Sequence, residues 1–164
     1  MTSCVIAFFS DFPPEVSTLL MSMTPFGELR LSLPVSLLVY QLPLAEAFYL
    51  SVFGNMIPPT IILLVAAKFH KWVEHQSGFF AKKWVNQLAK IQKKFKGKYQ
   101  KYGLFALVLF VGIPLPMTGA WSGALAAFIF GLPPKKSWPY IFVGVIMSGV
   151  ITASVVLGLG RLFF

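Results

Sequence analysis

The sequence predicts an all-α integral membrane protein of two inverted repeats. Each repeat is a re-entrant helix hairpin followed by one transmembrane helix, and a basic amphipathic helix joins them. Three observations lead there. Ala47 to Ala67 and Pro139 to Gly160 are charge-free runs of 21 and 22 residues, and about 20 helical residues cross a ~30 Å bilayer core. The Pro-rich stretch Gly112-Ile-Pro114-Leu-Pro116-Met-Thr118-Gly119-Ala-Trp121 cuts a third apolar region into pieces too short to cross. Ten of the fourteen basic residues are lysines between Lys68 and Lys101.

Composition agrees with one membrane domain over 1–164. The chain is 57% hydrophobic and 12% charged, with a mean hydropathy of +0.76, well outside the range of soluble domains. Asp11 and Glu15 are the only charges before Glu28, so no cleaved signal peptide is expected. The single cysteine, Cys4, excludes an intrachain disulfide and a cysteine-built metal site.

The first repeat occupies 14–67. Pro14 to Met23 is a short apolar stretch, Thr24-Pro25-Phe26-Gly27 is a break, and Glu28 to Gln41 is a second short stretch. Together they predict a hairpin over 14–41. A span follows over 46–67, in which Asn55, Pro58 and Pro59 are expected either to make an interruption, with Asn55 lining a cavity, or to form a kink that neighbouring helices stabilise.

Residues 68–101 follow. Their net charge of +9, with Glu74 the only acid, assigns them to the cytoplasmic side. Phe80, Trp84, Leu88, Ile91, Phe95, Tyr99 and Tyr102 form one helical stripe, with lysines over most of the remainder. That pattern predicts a helix lying in the interface of an anionic membrane rather than a nucleic-acid surface. His70, Glu74 and His75 match no zinc spacing, so no metal and no cofactor is expected.

The second repeat occupies 103–160, with a hairpin over 103–132 and a span over 138–160. If 103–132 crossed fully, Lys135 and Lys136 would lie outside; if it dips and returns, they join the lysine-rich side, as the positive-inside rule prefers. A shift of 90 residues lays Leu42-Pro43 on Leu132-Pro133, Ser32 on Ser122, Gly54 on Gly144 and Ile61 on Ile151. One net crossing per repeat forces opposite orientations. Both termini then lie outside the cytoplasmic (inner) membrane. Inverted repeats with broken helices recur in secondary transporters.

The chemistry is expected at the tips, which comprise Thr24, Pro25, Gly27, Pro34, Pro114, Pro116, Gly119 and Trp121. Glu28 and Arg30 are the only charged residues over 16–41 and 103–132, the stretches that flank them. The shift sets Glu28 against Thr118, so each starts a half-helix, and Thr118 is expected to cap its own. Two helix N-termini plus Arg30 would favour an anion. Glu28 would oppose it when ionised and assist it when protonated. Substrate and proton binding are therefore assigned to Glu28, Arg30 and Thr118. Gly119, Ala120, Gly123, Ala124 and Ala127 offer a small-residue packing face. No catalytic constellation is present.

Pro25-Phe-Gly-Glu28-Leu-Arg30-Leu-Ser-Leu-Pro34 resembles a Pro-x2-Glu-x-Arg-x3-Pro signature of the small multidrug export protein family. Pro114-Leu-Pro116-Met-Thr118-Gly119-Ala-Trp121-Ser-Gly123 resembles its second signature. That family is similar to the wider DedA (VTT) membrane protein superfamily. The resemblance covers nearly the whole chain and implies paired re-entrant hairpins that face each other. For some relatives it also implies proton-dependent movement of lipid-linked phosphates. The expected function is a proton-coupled transporter or flippase for an anionic lipid or small anion. A multidrug exporter and a scramblase or membrane organiser are the alternatives. Anionic membrane lipids and protons are the expected partners, and a homodimer would cover the apolar surface of so few spans.

Overall fold

The computed structural model describes residues 12–25, 27–74, 90, 98–114 and 118–163. These form six helices and no strands: α1 (Pro14–Met23), α2 (Glu28–Leu38), α3 (Leu44–Glu74), α4 (Lys98–Gly112), α5 (Ala120–Ile129) and α6 (Pro134–Phe163). At 1.5 Å per residue, the 31 residues of α3 and 30 of α6 each reach about 45 Å. The 10, 11 and 10 residues of α1, α2 and α5 reach only about 15–17 Å, half a bilayer core. Leu44–Val65 and Pro134–Gly158 are the segments long and apolar enough to span.

Local chemistry sets the boundaries. Pro14 opens α1 where no N–H is needed. Gln41 and Gly131 both take left-handed backbone, φ 54° and 67°, and turn the chain at the outer end of each short pair. Leu-Pro follows each, and α3 and α6 then begin. Gly131 adopts that conformation freely, whereas Gln41 bears the penalty of its Cβ.

Two expectations are corrected here. Pro58 and Pro59 do not interrupt the first span, because α3 runs through them without a break. Each withholds one N–H from the ladder, while the Thr60 hydroxyl donates to the Met56 carbonyl at 2.6 Å, and flanking helices support the segment. Pro34 is not a tip residue; it lies inside α2. The interfacial stripe and basic residues over 75–97, Lys90 apart, lie outside the described residues, as do Phe26, Pro116 and His75.

The long helices α3 and α6 pack on each other at the centre. The first short helix of each pair lies on the long helix that follows it, α1 on α3 and α4 on α6. The second, α2 or α5, packs on both long helices. Gly54 and Gly144 allow this approach. A Cβ at Gly54 would fall 2.6 Å from the Leu19 carbonyl on α1, and one at Gly144 would fall 3.0 Å from the Val108 carbonyl on α4. Leu29, Leu33, Ala47, Val111, Ala124 and Val145 fill the centre, while Phe53, Ile61, Leu64, Val143, Val150 and Val155 project outward. An apolar exterior over two apolar spans is the surface of a membrane protein.

Buried hydroxyls tie the short helices together. Thr18 and Ser36 share a 2.8 Å hydrogen bond between α1 and α2, and Ser32 donates to Ser51 on α3 at 3.0 Å. Interhelical hydroxyl bonds of this kind hold helices where lipid offers no hydrophobic drive between them.

Candidate functional site

The first tip closes on itself. Thr24 ends α1 in extended backbone; its hydroxyl donates to the Met21 carbonyl at 2.8 Å and accepts the Gly27 N–H at 3.0 Å. The Glu28 N–H donates to the Thr24 carbonyl at 3.0 Å. Gly27 is needed in this turn, since a Cβ there would lie 2.8 Å from the Met21 carbonyl. Glu28 itself has φ 43°, a conformation in which a side chain with a Cβ is strained. Such outliers concentrate at functional positions.

The second tip is arranged differently. Gly119 precedes α5 in extended backbone, and no side chain of its own segment caps the helix. The expected Thr118 cap is therefore corrected. Its hydroxyl turns the other way, donating to the Ile113 carbonyl at 3.1 Å across the tip. The N–H groups of α5 are left for another partner.

That partner is Glu28. Its carboxyl accepts a hydrogen bond from the Trp121 backbone N–H and interacts electrostatically with Arg30. It lies so close to Gly119 that a Cβ there would collide with its oxygens. An acidic group at a helix N-terminus is electrostatically favoured, and here the helix belongs to the opposite hairpin.

Arg30 crosses in the same way. Its Nη2 donates to the Ile113 carbonyl at 3.2 Å, the Thr118 carbonyl at 3.1 Å and the Thr118 hydroxyl at 3.3 Å. In return, the Trp121 indole Nε1 donates to the Met23 carbonyl at 3.2 Å. Each second half-helix thus holds the C-terminal carbonyl of the opposite first half-helix. The accepting positions, Met23 and Ile113, lie 90 residues apart.

A narrow crevice lies at the crossing, with no room for a water molecule. Leu29, Val111, Ala120 and Val145 form its apolar walls, and Glu28, Arg30, Asn55 and Ser148 contribute polar groups. Glu28 is 8% exposed and Asn55 4%. Among the described side chains, the Asn55 Oδ1 is buried with no hydrogen-bond partner.

The structure brings Glu28, Arg30, Asn55, Thr118, Gly119 and Trp121 into one place. Thr24, Pro25 and Gly27 shape the first tip, and Pro114 flanks the second. Val111, Val145 and Ser148 were not singled out from the sequence. Val145 lies 90 residues after Asn55, the one signal that could have found it. The described residues contain no cluster of three metal-ligating side chains.

A helical membrane protein with a buried, ionisable site between short helices is the class that this fold and site define. Residues 28–151 match the family described as "Putative small multi-drug export protein", and the chain belongs to that family. The match begins at Glu28 and contains every polar group of the crevice. No match was found among curated proteins or solved structures.

Proposed function

We propose that the chain is a secondary transporter of the cytoplasmic membrane that moves an anionic substrate, a lipid-linked phosphate or a small anion, together with a proton carried by Glu28. The observation that carries this reading is the Glu28 carboxyl, held on the N-terminus of α5 beside Arg30. It occupies the place that a substrate anion would take, using the same N–H groups and the same nearby cation. A proton on Glu28 removes its charge and its claim on that N-terminus. A phosphate oxygen then binds the Trp121 N–H and Arg30. Release of the anion lets the carboxylate return.

The proposed architecture is two inverted repeats, 14–67 and 103–160, whose hairpins enter from opposite sides and rock about the crevice. Three pairs of equivalent features at the 90-residue offset support it: left-handed Gln41 and Gly131, close-packed Gly54 and Gly144, and the accepting carbonyls of Met23 and Ile113. On this arrangement residues 68–101 face the cytoplasm and both termini lie outside.

A second reading, export of a cationic drug in exchange for protons, is supported by the family description and by a carboxylate within apolar walls. Arg30 separates the two. In proteoliposomes with and without a pH gradient, the anion reading expects lipid phosphate or small-anion flux that Glu28→Gln uncouples from the gradient and Arg30→Ala abolishes. Flux of a cationic dye that persists or rises in Arg30→Ala would favour the drug exporter. Indifference of every substrate to Glu28→Gln would overturn both.

A further inference from the structure

We propose that Asn55 is the resting place of the Glu28 carboxyl in its protonated state: the Glu28 side chain swings from the α5 N-terminus and donates its O–H to Asn55 Oδ1. This rests on the reading that Glu28 takes up a proton.

Asn55 sits within the apolar span of α3, where a polar side chain is costly and marks function. Its Oδ1 is buried and accepts no hydrogen bond in the present state. An orphaned acceptor of this kind costs about 1–3 kcal/mol and calls for a donor in another state of the protein. The crevice is too narrow for water to supply that donor, so it must come from the lining. Among the lining side chains, those with an N–H or O–H to offer are Arg30, Ser148 and a protonated Glu28. Arg30 is directed to Ile113 and Thr118 at the tip. Ser148 carries a hydroxyl in every protonation state and still leaves Oδ1 without a bond. Glu28 gains a donor only when protonated, so its conversion matches an acceptor that is empty while the carboxylate is bound elsewhere.

The two positions suit the two charge states. The α5 N-terminus and Arg30 favour the anion, whereas the amide oxygen, an acceptor only, favours the acid. Among described side chains, Arg30 is the one other charged group on the crevice. Glu15 on α1, Glu46 and Lys68 on α3, and Lys135 and Lys136 on α6 are exposed near helix ends. Asn55 acts here as a positioning residue: it holds the protonated carboxyl away from Trp121 while the substrate anion uses that N–H.

Infrared difference spectroscopy of the reconstituted protein on acidification tests this directly. The band lost in Glu28→Gln identifies the protonated Glu28 carbonyl. Asn55→Leu removes the acceptor and should move that band to higher frequency, leaving the carboxylate bands in place. Asn55→Asp supplies a stronger acceptor and should move it lower, which keeps the test decisive if the leucine variant does not fold. Gradient-driven flux should fall about fivefold in Asn55→Leu, the factor equivalent to one net hydrogen bond of about 1 kcal/mol. An unmoved band in both variants overturns the role of Asn55 and leaves the proton site intact. Absence of any Glu28 band in the unsubstituted protein overturns the proton site, and the inference with it.

Discussion

Gly119→Ala tests the crossing of the hairpins at its tightest point. Gly119 has φ −90° and ψ −166°, extended backbone that alanine adopts without strain. Any cost must therefore come from the collision of the new Cβ with the Glu28 carboxyl. Relieving that collision takes the carboxyl off the Trp121 N–H. A hydrogen bond to a charged group is worth about 1.5–3 kcal/mol, and the helix-terminus attraction of up to ~2 kcal/mol describes much of the same contact. The expected destabilisation is about 2–3 kcal/mol, measured by denaturant unfolding in mixed micelles. In a Glu28→Ala background the carboxyl is gone, and Gly119→Ala should cost less than about 0.5 kcal/mol, so the double-mutant cycle should yield strong coupling. Additive effects of the two substitutions would refute the contact.

Trp121→Phe retains the ring but removes the donor to the Met23 carbonyl. It should cost about 1 kcal/mol in the same unfolding assay, and an unchanged midpoint would deny that bond a structural role. Gly54→Ala and Gly144→Ala each force a Cβ into a neighbouring short helix. Overpacking of about 1–3 kcal/mol is expected at both, and a marked cost at one with none at the other would count against equivalent repeats. Lys135→Cys in a Cys4→Ser background should label only from the side that bears residues 68–101; labelling from the opposite side refutes the re-entrant arrangement.

Much of the helical layout was legible because apolar run length and proline breaks carry it. The helix ends at Met23 and Gly112, and the Leu-Pro starts of the long helices, stand in the composition itself. Glu28 and Arg30 stood out because charge in so apolar a segment is rare. What those side chains touch was not legible. Ile113 O, Thr118 O, Met23 O and the Trp121 N–H are main-chain groups that every residue type supplies, so no sequence pattern marks them. Thr118 was assigned to its own helix for the same reason: a threonine before a helix start suggests a cap, but only the fold reveals that Glu28 already occupies that position. Pro58 and Pro59 left two readings open, and neighbouring helices and the Thr60 hydroxyl support a continuous helix that local propensity alone would break.

The two tips are unequal partners. The first brings an acid and a base, whereas the second brings main-chain groups, the Thr118 hydroxyl and an indole. In a transporter formed from two identical half-size chains, each tip would have to serve as both guest and host. A single chain that carries both halves is relieved of that compromise, and each half can specialise. On the proposed arrangement the cost is exact two-fold symmetry. States open to opposite faces would differ in energy, so the direction in which the protein is threaded would bias the cycle. The lysines of 68–101, which on that arrangement fix the threading, would then set which face the lower-energy state opens to as well as the topology.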